Sequence, residues 1–465
     1  MRRAKNNVNN ITLINIISTF ILQGIAFIST PLFTRLLGPS QYGLFSLFNS
    51  WVMILTCIMG AGMHSSIGTG LYTFKEDYKN FRNNILITSS LICMIEVIVI
   101  IAFSRYISGF LGFSSSIILV MSLCAFANYI LNLAQSCFIY EKRASHNFIL
   151  SVLVSVSSVL LSLYLIYHSV FEKKYIDRIY GVAIVYIIAA ICVWIILFLE
   201  KPSKIQKRYV NYGLVVGFPI VFHTLSQQIL GQSDRVMMQL FGIATAEIGI
   251  YSLFYTLSSV LSTILGALNN SWCPFYYDDV SEKKWDTLDK KCKNYIELFT
   301  VLGVGFLLLS REVSYLMADK SYWGGINILP ILTLGIYFTF MYQFLVNYEF
   351  FYKKTYLIAI GTIITGLINI ILNIIMIPSW GMYGAAIATA ISYLALFFAH
   401  FYIVTHMKNL TYHLKIRAFI PGLAGMLIGC LAFYVLAPWW YIRWGLGLIL
   451  GCFEAFRIYK RKSIF

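Results

Sequence analysis

Thr30-Pro31-Leu32-Phe33-Thr34-Arg35-Leu36-Leu37-Gly38-Pro39-Ser40-Gln41-Tyr42-Gly43-Leu44-Phe45-Ser46-Leu47 joins two long apolar runs. Pro31 removes a backbone donor near the end of the first run, which predicts a bend there. Gly38-Pro39 predicts the turn. Arg35 stands just before that turn, where a helix leaves hydrocarbon. Its charge is costly in lipid, so it either snorkels to the interface or faces a wet cavity.

The rest of the chain repeats this pattern. It is 59% hydrophobic and 12% charged, where a soluble protein carries roughly 25% charged residues. Apolar runs fall at about 10–34, 42–66, 83–104, 115–139, 147–168, 178–199, 209–231, 245–271, 292–310, 326–348, 355–377, 383–405, 415–437 and 440–458. Each is long enough to cross a bilayer as a helix. The fold class is therefore an all-α polytopic membrane protein with fourteen expected spans. Continuous runs argue against a β-barrel, whose strands alternate every second residue.

The net charge of +16 comes from short loops, so it reflects membrane topology and no nucleic-acid partner is expected. With these spans, 26 of the 35 Lys and Arg lie on the side of the N-terminus. The positive-inside rule then places both termini in the cytoplasm. The polar stretches near 67–82 and 272–291 are expected as the longest loops, both cytoplasmic. Arg2, Arg3 and Lys5 before an apolar run imitate a signal peptide. The run continues to Leu37, so it is expected to be retained as the first span. The nine cysteines are expected as buried thiols.

An internal repeat gives the domain plan. Gly43-Leu44-Phe45-Ser46-Leu47-Phe48 resembles Gly249-Ile250-Tyr251-Ser252-Leu253-Phe254, 206 residues on. Tyr180-Gly181-Val182-Ala183-Ile184 resembles Tyr383-Gly384-Ala385-Ala386-Ile387 at 203, and Phe138–Lys142 resembles Phe350–Lys354 at 212. An even number of spans per copy gives both copies the same topology, related by an axis along the membrane normal. The expected lobes are 1–205 and 206–410, with a hairpin at 411–465 and a hydrophilic cavity between the lobes.

Polar stripes mark the first helix of each lobe. Asn15, Thr19 and Gln23 share one face by their spacing of four, as do His223 and Gln227. Such stripes either line a cavity or hydrogen-bond a neighbouring helix. Glu96 lies near the middle of the third run, where it serves proton coupling or structure. Glu297 is expected to pair with Lys293. Asp234-Arg235 reads as an interfacial pair or as a gate that touches a headgroup. Asn369 and Asn373 share a face and either coordinate a cation, which would allow sodium coupling, or bond a neighbour. His64 and His400 read as structural, and Glu349 and Glu454 as carboxylates near helix ends. There is no Walker A sequence, no dinucleotide-binding glycine pattern and no HExxH. An enzyme is therefore not expected, nor any cofactor or metal.

These residues carry a family resemblance. Thr30-Pro31…Arg35-Leu36-Leu37-Gly38…Tyr42-Gly43-Leu44-Phe45 resembles the first-helix signature of the polysaccharide flippases of the multidrug/oligosaccharidyl-lipid/polysaccharide exporter superfamily. Asp234-Arg235 with Gly249-Ile250-Tyr251 is similar to the second-lobe signature. Asn369…Asn373…Ile377-Pro378…Gly381-Met382-Tyr383-Gly384-Ala385-Ala386-Ile387-Ala388-Thr389 resembles that of the eleventh and twelfth spans. The likeness covers about residues 1–405 and is strongest to the O-antigen and capsule repeat-unit flippases (Wzx-type).

The resemblance implies movement of an oligosaccharide, linked by pyrophosphate to undecaprenol, from the cytoplasmic to the outer leaflet of the inner membrane. It also implies membrane lipids as partners, with a glycan polymerase and a chain-length regulator beside it. Arginines suit the pyrophosphate through paired hydrogen bonds. The competing expectations are a peptidoglycan-precursor flippase or a cation-coupled efflux antiporter of the same superfamily. A membrane-embedded glycan polymerase would need a large external loop.

Overall fold

The computed structural model describes residues 2–168, 170–171, 173–406, 415–461 and 463–464, with side chains from Ile21 onward except that of Thr355. Among these residues the regular structure is helical. The first helices are α1 (Arg2–Ile58), α2 (Ile67–Thr73), α3 (Tyr78–Ala102), α4 (Ser104–Leu111), α5 (Ser115–Tyr140), α6 (Ala144–His168), α7 (Lys174–Glu200) and α8 (Lys207–Leu240). They are followed by α9 (Thr245–Ser281), α10 (Trp285–Met317), α11 (Leu329–Phe351), α12 (Thr355–Thr405), α13 (Ile420–Val435) and α14 (Trp440–Arg461). Short 3₁₀ stretches cover Met59–Ser66, Lys320–Ile328 and Ile416–Ala418.

Ten helical stretches among the described residues are long and apolar enough to cross a membrane. Two of them run through a backbone break, at Gly38 (φ 66°, ψ 170°) and at Gly381 (φ 51°, ψ −129°), so each holds two consecutive limbs. α10 and α14 lie over the ninth and fourteenth expected runs and are not among the ten.

Three expectations change. Pro31 sits inside α1 with no departure from helical backbone around it, and the bend falls at Gly38 alone. A proline in a helix forfeits one hydrogen bond, whereas a glycine with positive φ redirects the chain. The second expected run does not stay helical to residue 66, because Gly60, Ala61 and Gly62 all take left-handed backbone (φ 59°, 49° and 65°). The stretch 272–291 is no long loop: α9 continues through Pro274 to Ser281 and α10 begins at Trp285.

The chain falls into two compact units, Met1–Ala246 and Glu247–Phe465. In the first, α5 supplies Met121, Tyr129, Leu133 and Cys137, each fully enclosed. At 100° per residue these four spread over about 160° of the helix, and other buried residues fall between them, so α5 is enclosed around much of its girth. This unit includes α8, which the repeat assigns to the second lobe. The packing explains why: Gly62 and Gly217 lie so close that a Cβ on either would come within 2.7–2.8 Å of the other's carbonyl oxygen. Only residues without side chains allow that approach.

The connection from α7 to α8 is pinned by three consecutive, fully buried residues at the start of α3. Arg82 donates to Glu141, Glu200 and the Leu197 carbonyl. Asn83 Nδ2 donates to the carbonyls of Phe198 and Lys201, at 3.0 and 2.6 Å. Asn84 Oδ1 accepts from the Gln206 amide at 2.6 Å. The Leu197 and Phe198 carbonyls stand in the last turn of α7, where a helix supplies no partner of its own.

In the second unit Trp272, Tyr295, Phe299, Phe340 and Phe344 form a chain of rings, with neighbouring centroids 4.3–6.0 Å apart. α14 docks on α10 through ion pairs at both ends. Arg443, almost fully buried, grips Glu312 at 2.5 and 3.0 Å. Glu297 pairs with Arg457 and Arg461 of α14, the latter at 3.3 Å. The expectation of Lys293 is thus corrected: helix packing brings arginines from a distant segment closer than the lysine one turn away. Glu349 is a buried partner of His400, at 2.7 Å from Nδ1.

Candidate functional site

The turn at Gly38 is held from α7. The Arg178 guanidinium stacks on Phe33 and Phe45, each 3.8 Å from its carbon, with Tyr42 at 5.5 Å. Phe33 lies before the bend and Phe45 after it, so one cation ties both limbs. The ring quadrupoles attract it, and desolvation strengthens the attraction. Gln41 Oε1 accepts from the Tyr175 amide at 3.1 Å, and Lys174 Nζ donates to the Leu36 carbonyl at 3.4 Å. Arg35 is exposed on the first limb, one turn before the bend.

A polar network joins the second limb of α1 to α8. Gln232 Oε1 accepts from Ser50 Oγ at 2.9 Å and from Arg235 Nη1 at 3.1 Å. Arg235 also donates to the Gly231 carbonyl at 3.3 Å. Farther along, Trp51 Nε1 donates to Gln239 Oε1 at 3.4 Å, and Gln239 Nε2 donates to the Leu111 carbonyl. Gln232, Arg235 and Gln239 follow i, i+3, i+7 and share one face of α8. Ser50 and Arg235 are buried, as is Asp234.

The break at residues 60–62 forms a second cluster. An unwound segment within a spanning helix must find partners for its amides and carbonyls. Glu96 Oε2 accepts from the Gly60 amide at 2.9 Å, and Tyr129 Oη accepts from the His64 amide at 3.2 Å. Ala61 holds a left-handed backbone without being glycine, which costs on the order of 1–2 kcal/mol. Strain of that kind collects where a helix is built to be interrupted. Two residues beyond Gly217, the contact of this break on α8, stands Pro219.

A third cluster lies in the second unit. Asn369 Nδ2 donates to Thr389 Oγ1 at 3.1 Å and Asn373 Nδ2 to Asn369 Oδ1 at 3.2 Å. All three are buried and link the two limbs of α12. Thr389 also borders a cavity of about 90 Å³ lined by Ser258, Ser259, Ser262 and Thr339.

Four of the residues singled out from the sequence, Arg235, Glu96, Asn369 and Asn373, fall into the three clusters. Arg235 meets Gln232 and Ser50, Glu96 meets the helix break, and Asn369 meets Asn373 and Thr389. Gln23 and Gln227 are exposed, and His223 is half-buried with an enclosed Nδ1 that finds no hydrogen-bond partner among the described residues. The side chains of Asn15 and Thr19 lie outside the described residues. Sequence reasoning missed Arg178, Gln232 and the Arg82-Asn83-Asn84 clamp. Two of the three had a signal: Arg178 is among the few cations on the minority side, and the clamp is a polar triplet opening an apolar run.

Residues 9–276 match the sequence profile of the family described as polysaccharide biosynthesis protein. A "probable low-salt glycan biosynthesis flippase Agl15" of Haloferax volcanii is 21% identical over 378 residues, covering 80% of this chain and 78% of that protein. Among solved structures, the lipid II flippase MurJ in an inward closed conformation superposes with a TM-score of 0.74 at 19% identity. That superposition covers 97% of this chain and 99% of the other. An inward-facing multidrug resistance MATE family transporter of the MOP superfamily gives 0.62 at 15% identity, over 89% and 94%. The fold is that of these transporters.

Proposed function

The chain belongs to the polysaccharide biosynthesis protein family, a family of flippase-type membrane transporters and not of enzymes, and from that premise we propose that it carries lipid-linked oligosaccharide across the membrane. The substrate is an undecaprenyl-pyrophosphate-linked repeat unit, moved from the cytoplasmic to the outer leaflet of the inner membrane by alternating access. Its product feeds O-antigen or capsular polysaccharide, with a polymerase and a chain-length regulator acting next. A sugar-pyrophosphate head loses its water in hydrocarbon and needs replacement contacts.

The observation that carries this reading is the Ser50–Gln232–Arg235 network, a hydrogen-bonded guanidinium buried within apolar helices. Arginine presents a fork of donors that matches phosphate oxygens. In this reading Arg35 and Arg235 engage the pyrophosphate, with Asp234 beside them. Asn15, Thr19, Gln23, His223 and Gln227 line the sugar's path. Glu96 couples transport to protons, or Asn369 and Asn373 couple it to sodium. The working parts are six-helix lobes at 1–205 and 206–410 and a hairpin at 411–465, fourteen spans in all, with both termini cytoplasmic.

Deletion of the gene tests the function. Repeat units trapped on the cytoplasmic leaflet, with loss of long-chain surface glycan, establish it. Arg235→Ala at unchanged protein level should reproduce the trapping. Complete units on the outer leaflet that stay unpolymerised would assign a polymerase, and lethality through loss of peptidoglycan precursor export would assign that cargo instead.

A further inference from the structure

Within the first unit, α6, α7 and the end of α5 border a groove of about 570 Å³. Its walls are aliphatic, and Leu153, Ile188 and Ile196 are each more than half exposed along it. One end is closed by Arg143, His146 and Glu200, at the turn between α5 and α6 and the last residue of α7. Arg143 Nη1 donates to Glu200 at 2.6 Å and its Nε lies 3.0 Å from Glu141. Arg82 lies behind, wholly buried, and bridges the same two carboxylates at 2.9 Å each.

This end of the groove holds two guanidinium cations against two carboxylates. Arg82 is committed to the interior, while Arg143 and Glu200 keep 30% and 23% of their side chains exposed. We propose that the groove binds one acyl chain of an ethanolamine phospholipid. The lipid phosphate takes Arg143 and an N–H of His146, and the lipid ammonium takes Glu200. A zwitterion exchanges one ion pair for another and leaves no unmatched charge, which is the condition for burying charge at low cost. An anionic headgroup would bring its charge against Glu141 and Glu200 with no cation of its own. A bare polyprenyl tail would fill the walls but leave the charged end unused. The exposed Lys142 and Lys201 adjoin this end in sequence and favour any phosphate, so the lipid class is decided by the carboxylates. The assignment is independent of the transported cargo.

Native mass spectrometry of the full-length chain tests it, with phosphatidylethanolamine and phosphatidylglycerol of identical acyl chains titrated separately. One ethanolamine lipid should be retained, with affinity about tenfold above the glycerol lipid, as for one added charge-assisted contact. Glu200→Gln should shrink that preference to about twofold. That substitution also loosens Arg82, so Ile188→Trp, which fills the groove from an exposed position, provides the second variant and should abolish retention of both lipids. Equal or stronger retention of phosphatidylglycerol would overturn the proposal. So would ethanolamine lipid retained by Ile188→Trp, or displacement of it by equimolar undecaprenyl phosphate, which would make the groove a seat for a polyprenyl tail.

Discussion

Two bends, one in each unit, use the same hydrogen bond and differ in everything around it. In the first unit the Gln41 side chain accepts from the Tyr175 amide at 3.1 Å, and in the second the Glu247 side chain accepts from the Met382 amide at 2.7 Å. Gln41 and Glu247 stand 206 residues apart, and Tyr175 and Met382 stand 207 apart, within the spacing of the sequence repeat. Each bond ties the start of one helical limb to a turn far along the chain. The first turn is then clasped by Arg178 between Phe33 and Phe45. The second has a carboxylate in place of an amide, pressed against Gly381. A repeated fold thus keeps the backbone contact and lets the side-chain chemistry diverge.

The largest effect should come from Gly381→Ala. Its backbone (φ 51°, ψ −129°) is closed to L side chains, and a Cβ would fall 2.1 Å from Glu247 Oε1. Strain and the broken bond together should cost about 3 kcal/mol or more, read as a loss of thermal stability in detergent. Gly38→Ala meets a backbone that is likewise open only to glycine (φ 66°, ψ 170°) but has open space around it, so about 1–3 kcal/mol is expected. Equal losses would mean that the Glu247 contact contributes nothing.

Removing the acceptors sharpens the contrast. Glu247→Ala should destabilise by about 1.5–3 kcal/mol, as for a bond to a charged group, and Gln41→Ala by about 1 kcal/mol. Arg178→Ala should cost about 1–2 kcal/mol by unclasping the first bend, with Arg178→Lys recovering only part of it, because a lysine loses the planar stack. The smallest effect belongs to a control outside both bends. Asp77, between α2 and α3, accepts from the Tyr209 hydroxyl, Asn80 and Arg208. The Tyr209 hydroxyl, and then Asn80 and Arg208, hold its carboxyl below the ordinary value of 3.8. Its contribution is therefore complete above that value and lost as the pH falls through the lower folded one. Asp77→Asn should flatten the acid limb of a stability profile and leave the ranking of the bends unchanged.

Much of this was legible in the residues alone. Long apolar runs specify helices that must satisfy their own backbone in lipid, so the all-helical, polytopic class follows from composition and run length. Gly38 marked its turn because glycine alone tolerates that backbone freely, and the repeat announced itself through Gly43 and Gly249. Glu96 stood out because a carboxylate amid hydrocarbon needs a reason.

The partners were not legible. Nothing near Glu96 in sequence indicates Gly60, and nothing near Gln41 indicates Tyr175. Arg82, Arg178 and Arg443 read as ordinary cations at the ends of apolar runs, yet one pins a linker, one clasps a bend and one anchors the last helix. Helical periodicity is local, so it fixes which residues share a face. Which faces meet depends on packing between segments more than a hundred residues apart, where close approach at pairs such as Gly62 and Gly217 excludes the alternatives. Run length and hydropathy therefore set the class of this protein, and the meeting of distant helix faces set its bends, its broken helix and its buried charges.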